Sequence, residues 1–465
     1  MSDASRNGLI RRLGLFSVVA IIVADMVGTG IFTTSGLLME NLRSPVMMVV
    51  LWGIGGFIAL SGAFCYAELS AAMPYAGGEY YFLSRLFHPL PGFLSGWVSF
   101  IVGFSAPVAA ASIGMSEYFL QAFPQWVPEH LVLGIPGEVF SRKSYAVGII
   151  VVFTLLHIQG LKLGARVHNV LTIIKLALIL GMIILGFSSG EGTFEHFNET
   201  TPADYSFGGF KNMGLSVMWI LFAYTGWNAA AYIGSEVKNP SKNLPIALIL
   251  GTGIVILLYM LLNVFFIYAI PPVEMEGVIS VGGLAIRHLF GDTYGRIFSL
   301  LIAIALFSSV SALIILGPRI YYAMARQGHF FRFAGRIHPR TGVPYLSVLI
   351  QGGVAVIIVF AGAFNEILTY MGFALGIFPI LAVYGIFILH RKGLSSYRAP
   401  AHPFFPLFFM ISNLAILVLG YAERPVESSI ALGTVLLGIP LYYVFKKVSS
   451  GRNAPGSDTS NSSSS

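Results

Sequence analysis

Twelve long apolar runs follow one another along this chain, joined by short connections. They lie at about 14–42, 46–73, 90–121, 143–161, 166–188, 211–237, 244–271, 294–326, 344–363, 366–391, 403–422 and 426–446. A helix needs about 20 apolar residues to cross a bilayer. In lipid, only a helix or a closed barrel satisfies every backbone polar group. Charged residues make up 10% of the sequence, against about 25% in a soluble domain. These features exclude a soluble enzyme, a nucleic-acid-binding protein and a disordered chain. The expected fold is an all-α polytopic membrane protein of twelve spans.

The net charge of +7 would suggest nucleic acid in a soluble protein. Here it is an orientation signal. With both termini placed in the cytoplasm, 19 of the 27 basic residues fall on the inside, 7 on the outside, and Lys175 within a span. Basic residues concentrate in cytoplasmic loops, so the termini are expected there. The cluster Arg326–Arg340 fits the same rule. Arg11 and Arg12 before the first run resemble a signal peptide. That run is too long for one and shows no small-residue cleavage site, so it reads as a retained span. The expected division is a cytoplasmic segment at 1–13, a twelve-helix domain at 14–446 and a disordered cytoplasmic tail at 447–465, rich in Ser and Gly. The single cysteine, Cys65, permits no internal disulfide and no cysteine metal site. No cofactor or metal is expected.

Two runs are interrupted near their middles. The first reads Val27-Gly28-Thr29-Gly30-Ile31-Phe32, the sixth Phe222-Ala223-Tyr224-Thr225-Gly226-Trp227-Asn228. They stand five spans apart. That spacing predicts an inverted repeat of five plus five helices, at about 14–188 and 211–391, followed by two extra helices at about 403–446. Broken helices at matched positions of two halves mark the binding site in transporters built this way. A zwitterion suits such a site: freed N–H groups take its carboxylate and freed carbonyls its ammonium. Close helix packing through Gly28 and Gly30 is the competing explanation.

Ionisable groups within spans are functional candidates. Lys175 lies deep in span five. It either carries a coupled proton or stays charged and holds span one through its free carbonyls. Asp25 precedes the first break by one turn and suits a pairing role with a basic or hydroxyl group. Glu68 and Glu236 lie near helix ends, as end-cap or gate ion pairs. Phe222 and Trp227 flank the second break as packing residues or as a lid over the substrate. His157 and His168 lack a metal-ligand pattern, and Gly77-Gly78 reads as a turn after span two.

These residues resemble the amino acid–polyamine–organocation superfamily with its LeuT-like inverted-repeat fold, and within it the L-type amino acid transporters and their bacterial relatives. The motifs are Gly28-Thr29-Gly30-Ile31-Phe32, Tyr66-Ala67-Glu68-Leu69, Gly77-Gly78-Glu79-Tyr80, Gly92 to Trp97, and the stretch from Phe222 through Glu236 and Asn239-Pro240 to Asn243-Leu244-Pro245. Arg319 to Gly328 completes the set, and the likeness covers about 10–445. It implies that Val27 to Ile31 form the carboxylate side of the site, through the amides of Thr29, Gly30 and Ile31. It implies that Phe222, Ala223 and Thr225 take the α-amine through their carbonyls, that Phe222 is the gate, and that Asn228 shapes the pocket. Lys175 matches a span-five lysine standing where sodium-coupled relatives hold a cation. This implies sodium-independent transport, by exchange or proton symport, in the plasma membrane or a bacterial inner membrane.

Eukaryotic relatives carry a cysteine between spans three and four that bonds a heavy chain. Residues 121–145 have none, so no disulfide-linked partner is expected; lipid and the amino acid are. The middles of spans three, six, eight and ten hold no acid, which favours neutral amino acids over cationic ones. The alternative within transport is a cationic amino acid or polyamine carrier. A membrane enzyme is disfavoured because no catalytic constellation is present.

Overall fold

The computed structural model describes residues 11–450 apart from 76, 133, 160–164, 190–191, 200–203, 327 and 395–396. The first ten residues and the tail beyond 450 lie outside the described residues. The last helix runs to Ser450, four residues into the segment expected as tail.

Each apolar run becomes helix. The first is split into α1 (Leu15–Met26), α2 (Thr29–Thr33) and α3 (Ser35–Leu42). Next come α4 (Pro45–Ala72), the short α5 (Gly78–Leu86), α6 (Pro89–Val98) and α7 (Ala106–Ala122). α8 (Gly137–Ile158) and α9 (Ala165–Ser189) close the first half. The second half holds α10 (Phe207–Ala223), α11 (Ala229–Tyr232), α12 (Pro240–Ala269), α13 (Pro272–Met275), α14 (Val281–Phe290), α15 (Asp292–Arg326), α16 (Tyr345–Ala361) and α17 (Phe364–Arg391). α18 (Phe404–Glu423) and α19 (Pro425–Ser450) follow.

Among the described residues, ten helices are long and apolar enough to cross a membrane. Two of the twelve expected spans fall short. α10 has 17 residues because the second break ends it, and α16 has 17, the lower limit for a crossing. The connections are richer than the sequence suggested. The Gly77-Gly78 turn opens a helix, α5, and the segment after α12 folds into α13 and α14. Between α6 and α7 the chain widens into a π-helical stretch, Ser99–Ser105. Pro107 explains it: proline lacks an N–H, and its ring displaces the carbonyl four residues earlier.

Helices far apart in the chain pack on each other, α4 with α12, α7 with α15 and α8 with α16. Polar pairs join other helices of the bundle. Ser35 Oγ donates to Asn263 Oδ1 at 2.6 Å. Trp219 Nε1 donates to Thr369 Oγ1 at 3.0 Å, and Trp97 Nε1 to the Thr434 carbonyl at 2.9 Å. Glu68, fully buried, joins α4 to His390 on α17 and accepts from Ala399 N at 2.8 Å.

Tyr118 on α7 fastens α14 over the first break. Its hydroxyl donates to the Phe32 carbonyl at 2.6 Å and accepts from Gly282 N at 3.0 Å. Tyr118→Phe leaves both buried groups without that partner, at a cost of about 1–3 kcal/mol. The expected result is a lower melting temperature in detergent, with the ring packing against Phe32 kept.

Candidate functional site

The first break is a true interruption. Val27 N still reaches Val23 O at 3.0 Å, and Gly28 N turns back to Met26 O at 2.8 Å. Met26 O is also held by the Tyr259 hydroxyl at 2.6 Å. α2 then begins afresh, which leaves the N–H groups of Thr29, Gly30 and Ile31 without intrahelical acceptors.

At the second break α10 ends on Ala223. Phe222 O accepts from Thr225 N at 3.0 Å and from Thr225 Oγ1 at 2.6 Å. It is therefore already used twice. The carbonyls of Ala223 and Thr225 accept no hydrogen bond among the described residues. Gly226 follows with φ of 98°, a conformation that favours glycine, and Asn228 leads into α11.

The two breaks touch. A Cβ on Gly30 would stand 2.5 Å from Ala223 Cα, and one on Gly226 would stand 2.8 Å from Asp25 Oδ2. Unpaired N–H groups of one segment thus lie beside unpaired carbonyls of the other. Gly28 differs from Gly30: nothing comes nearer to its position than Met26 O at 3.8 Å. Gly30 is thus a close contact between the two segments, whereas Gly28 leaves space.

Ser17, Ala20 and Asp25 are exposed and Ala24 and Gly28 half-buried, which marks one face of α1. Beyond the break, Ile31, Phe32, Thr33 and Ser35 are fully buried. Val27 and Phe222 are buried as well. The Trp227 ring packs against Tyr66 at 4.7 Å and Phe409 at 5.9 Å, so it is directed at α4 and α18.

Lys175 is 2% exposed. Its Nζ donates to Ser309 Oγ on α15 at 3.2 Å and attracts Asp25 across the break. Among the described residues it makes no bond to a carbonyl of α1. The argument from acid-free spans overlooked Asp25, because the acid that opens into this space belongs to span one.

Glu79 had no role in the sequence reading. It is buried at the start of α5 and accepts from the Tyr66 hydroxyl at 2.7 Å and from Asn228 Nδ2 at 3.0 Å. It thereby fixes the end of the second break to α4 and α5. Burial pushes its carboxyl up from 4.5 to about 7, against the opposing pull of hydrogen bonds from Tyr66, Asn228 and Ser95. An acid directly behind a Gly-Gly turn was the available signal. Its partner Asn228 lies 149 residues away, so the pairing was invisible.

The amino acid permease family matches residues 13–444. This chain belongs to that family. The human cystine/glutamate transporter is 28% identical over 94% of this chain and 85% of its own length. The serine/threonine exchanger SteT of Bacillus subtilis (strain 168) is 27% identical over 95% of this chain and 98% of its own. The human large neutral amino acids transporter small subunit 2 is 27% identical over 94% and 80%. These relatives are transporters, and the permease is a multi-pass membrane protein.

Two outcomes follow for this permease. Gly30→Ala forces apart the two breaks and costs about 1–3 kcal/mol of overpacking, whereas Gly28→Ala has room. Melting temperatures should fall for the first and hold for the second. Glu79 keeps its proton in the folded state where the unfolded chain has lost it. Stability therefore falls as pH rises from about 4.5 to about 7. The melting temperature of the wild type minus that of Glu79→Gln should decline across that window.

Proposed function

We propose that this permease is a secondary transporter of neutral L-amino acids, working by alternating access through exchange or proton-coupled symport without sodium. The observation that carries the reading is the contact of the two breaks. The N–H donors at the start of α2 and the open carbonyls of Ala223 and Thr225 belong to the two segments that touch, a match for the two charges that every amino acid carries on one carbon. The amides of Thr29, Gly30 and Ile31 take the carboxylate, with Val27 and Gly28 shaping their approach. Ala223 and Thr225 take the ammonium. Phe222, buried beside them, is the gate, its carbonyl kept by Thr225 until the segment moves. Trp227 supports that gate from behind, and Asn228 sets the pocket wall through Glu79.

The contacts of α4 with α12, α7 with α15 and α8 with α16 support a five-plus-five inverted repeat, and the bias of basic residues supports cytoplasmic termini. With that orientation the accessible face of α1 opens inward. Lys175 supports sodium independence, because its ammonium lies close to both the first break and α15. Cys65 is buried, which supports a permease without a disulfide-linked heavy chain, embedded in plasma membrane or bacterial inner membrane lipid. Transport, rather than catalysis, is the activity. The second reading, a carrier of cationic amino acids, is favoured by one observation, the accessible carboxylate of Asp25.

In proteoliposomes, uptake of neutral L-amino acids is expected to persist when choline replaces sodium at constant pH. Lys175→Ala should lower that uptake by tenfold or more while the protein still folds, since an isolated buried ammonium is costly to desolvate. Uptake that stops without sodium would overturn the sodium-independent reading. Uptake confined to arginine and lysine would promote the cationic one.

A further inference from the structure

Asp25 is a carboxylate near the middle of a span, where an isolated charge is expensive. Among the described residues it makes no hydrogen bond and no ion pair. It is nevertheless accessible to solvent. Its surroundings come from separate elements: Gly226 of the second break, Lys175 of α9 and Tyr232 of α11. Parts of three other elements therefore stand around it. A charge left open in such a place calls for an ion to meet it.

The position says which ion. Asp25 precedes the amides of Thr29, Gly30 and Ile31 by one turn, and its Oδ2 lies against Gly226, next to the open carbonyl of Thr225. A substrate held by its carboxylate on those amides carries its ammonium one carbon away. That places the ammonium between the carbonyls of Ala223 and Thr225 and the Asp25 side chain. A side-chain cation would stand several carbons farther from the same anchor. Carbonyl dipoles alone orient an ammonium, whereas a carboxylate adds a charge-assisted bond.

We propose that Asp25 is the counter-ion of the substrate's α-ammonium. The inference rests on the transporter reading above and sharpens it. The site should demand a free α-amine from every substrate, whatever its side chain. The acid in span one then no longer argues for cationic substrates. Lys175 attracts the carboxylate while the site is empty, and the substrate ammonium takes a place beside it on loading.

The test compares amino acids with their 2-hydroxy acids, L-alanine with L-lactate and L-leucine with L-2-hydroxyisocaproate. These keep the carboxylate and the side chain and lose the ammonium. Binding to full-length protein in detergent is read for the wild type, Asp25→Asn and Asp25→Ala, with melting temperatures alongside. Wild type should prefer the amino acids. In Asp25→Asn the amino acids should weaken by about tenfold or more, equally for neutral ones and L-arginine, while the hydroxy acids change little. The preference ratio therefore collapses, which is the coupling that a double-mutant cycle isolates. An unchanged ratio in a folded variant overturns the proposal, as does a loss confined to L-arginine. Failure of both variants to fold overturns it in favour of a structural role. A wild type that binds none of the twenty amino acids overturns the transporter reading itself, a result separable from any behaviour of the variants.

Discussion

The contact between two helix interruptions organises the centre of this permease. Each break by itself would leave backbone groups stranded in a region without water, where every unmet N–H or C=O is costly. Placed together, Gly30 against Ala223 and Gly226 against Asp25, they enclose one polar spot within an apolar bundle. The small residues at these positions are required by that proximity. The elements around them serve the same arrangement. Tyr259 holds Met26 O, Tyr118 holds Phe32 O, and Glu79 holds Asn228. Three of the four flanks of the unwound segments are thereby tied to other helices.

The polar groups of the interior divide by what they meet. Glu68 and Glu79 are met by protein, with His390 and Ala399 on one and Tyr66 and Asn228 on the other. They position helices. Lys175 is met in part, by Ser309 and by the field of Asp25. Asp25 is met by no hydrogen bond among the described residues. This gradation, from satisfied to open, runs toward the place where the two breaks touch. Groups bonded by the chain keep their geometry, whereas groups left open are available to a ligand or a proton.

Accessibility has a direction as well. The face of α1 that carries Ser17, Ala20, Ala24, Asp25 and Gly28 can be reached, while the residues past the first break are sealed under α14 and Tyr118. The start of α1 is pinned through Arg12 N and Leu13 N to Glu236 O, at 2.9 and 3.0 Å, and Lys238 N bonds back to Leu13 O at 2.9 Å. Movement of α1 would therefore carry the segment after α11 with it.

The membrane class, the helical runs and the positions of both breaks were legible in the sequence, because a bilayer admits few solutions and long apolar runs declare themselves. Val27 to Ile31 and Phe222 to Asn228 could be singled out for the same reason: an interruption inside such a run has to be compensated. What only the tertiary structure decided was which groups meet. That Gly30 meets Ala223, that Trp227 packs on Tyr66 and Phe409, and that Glu79 reaches Asn228 all depend on residues far apart in the chain. Hydrophobic patterning is a local property, written along each run. Pairing of polar groups between helices depends on how those helices pack side by side, and a one-dimensional pattern carries no record of that.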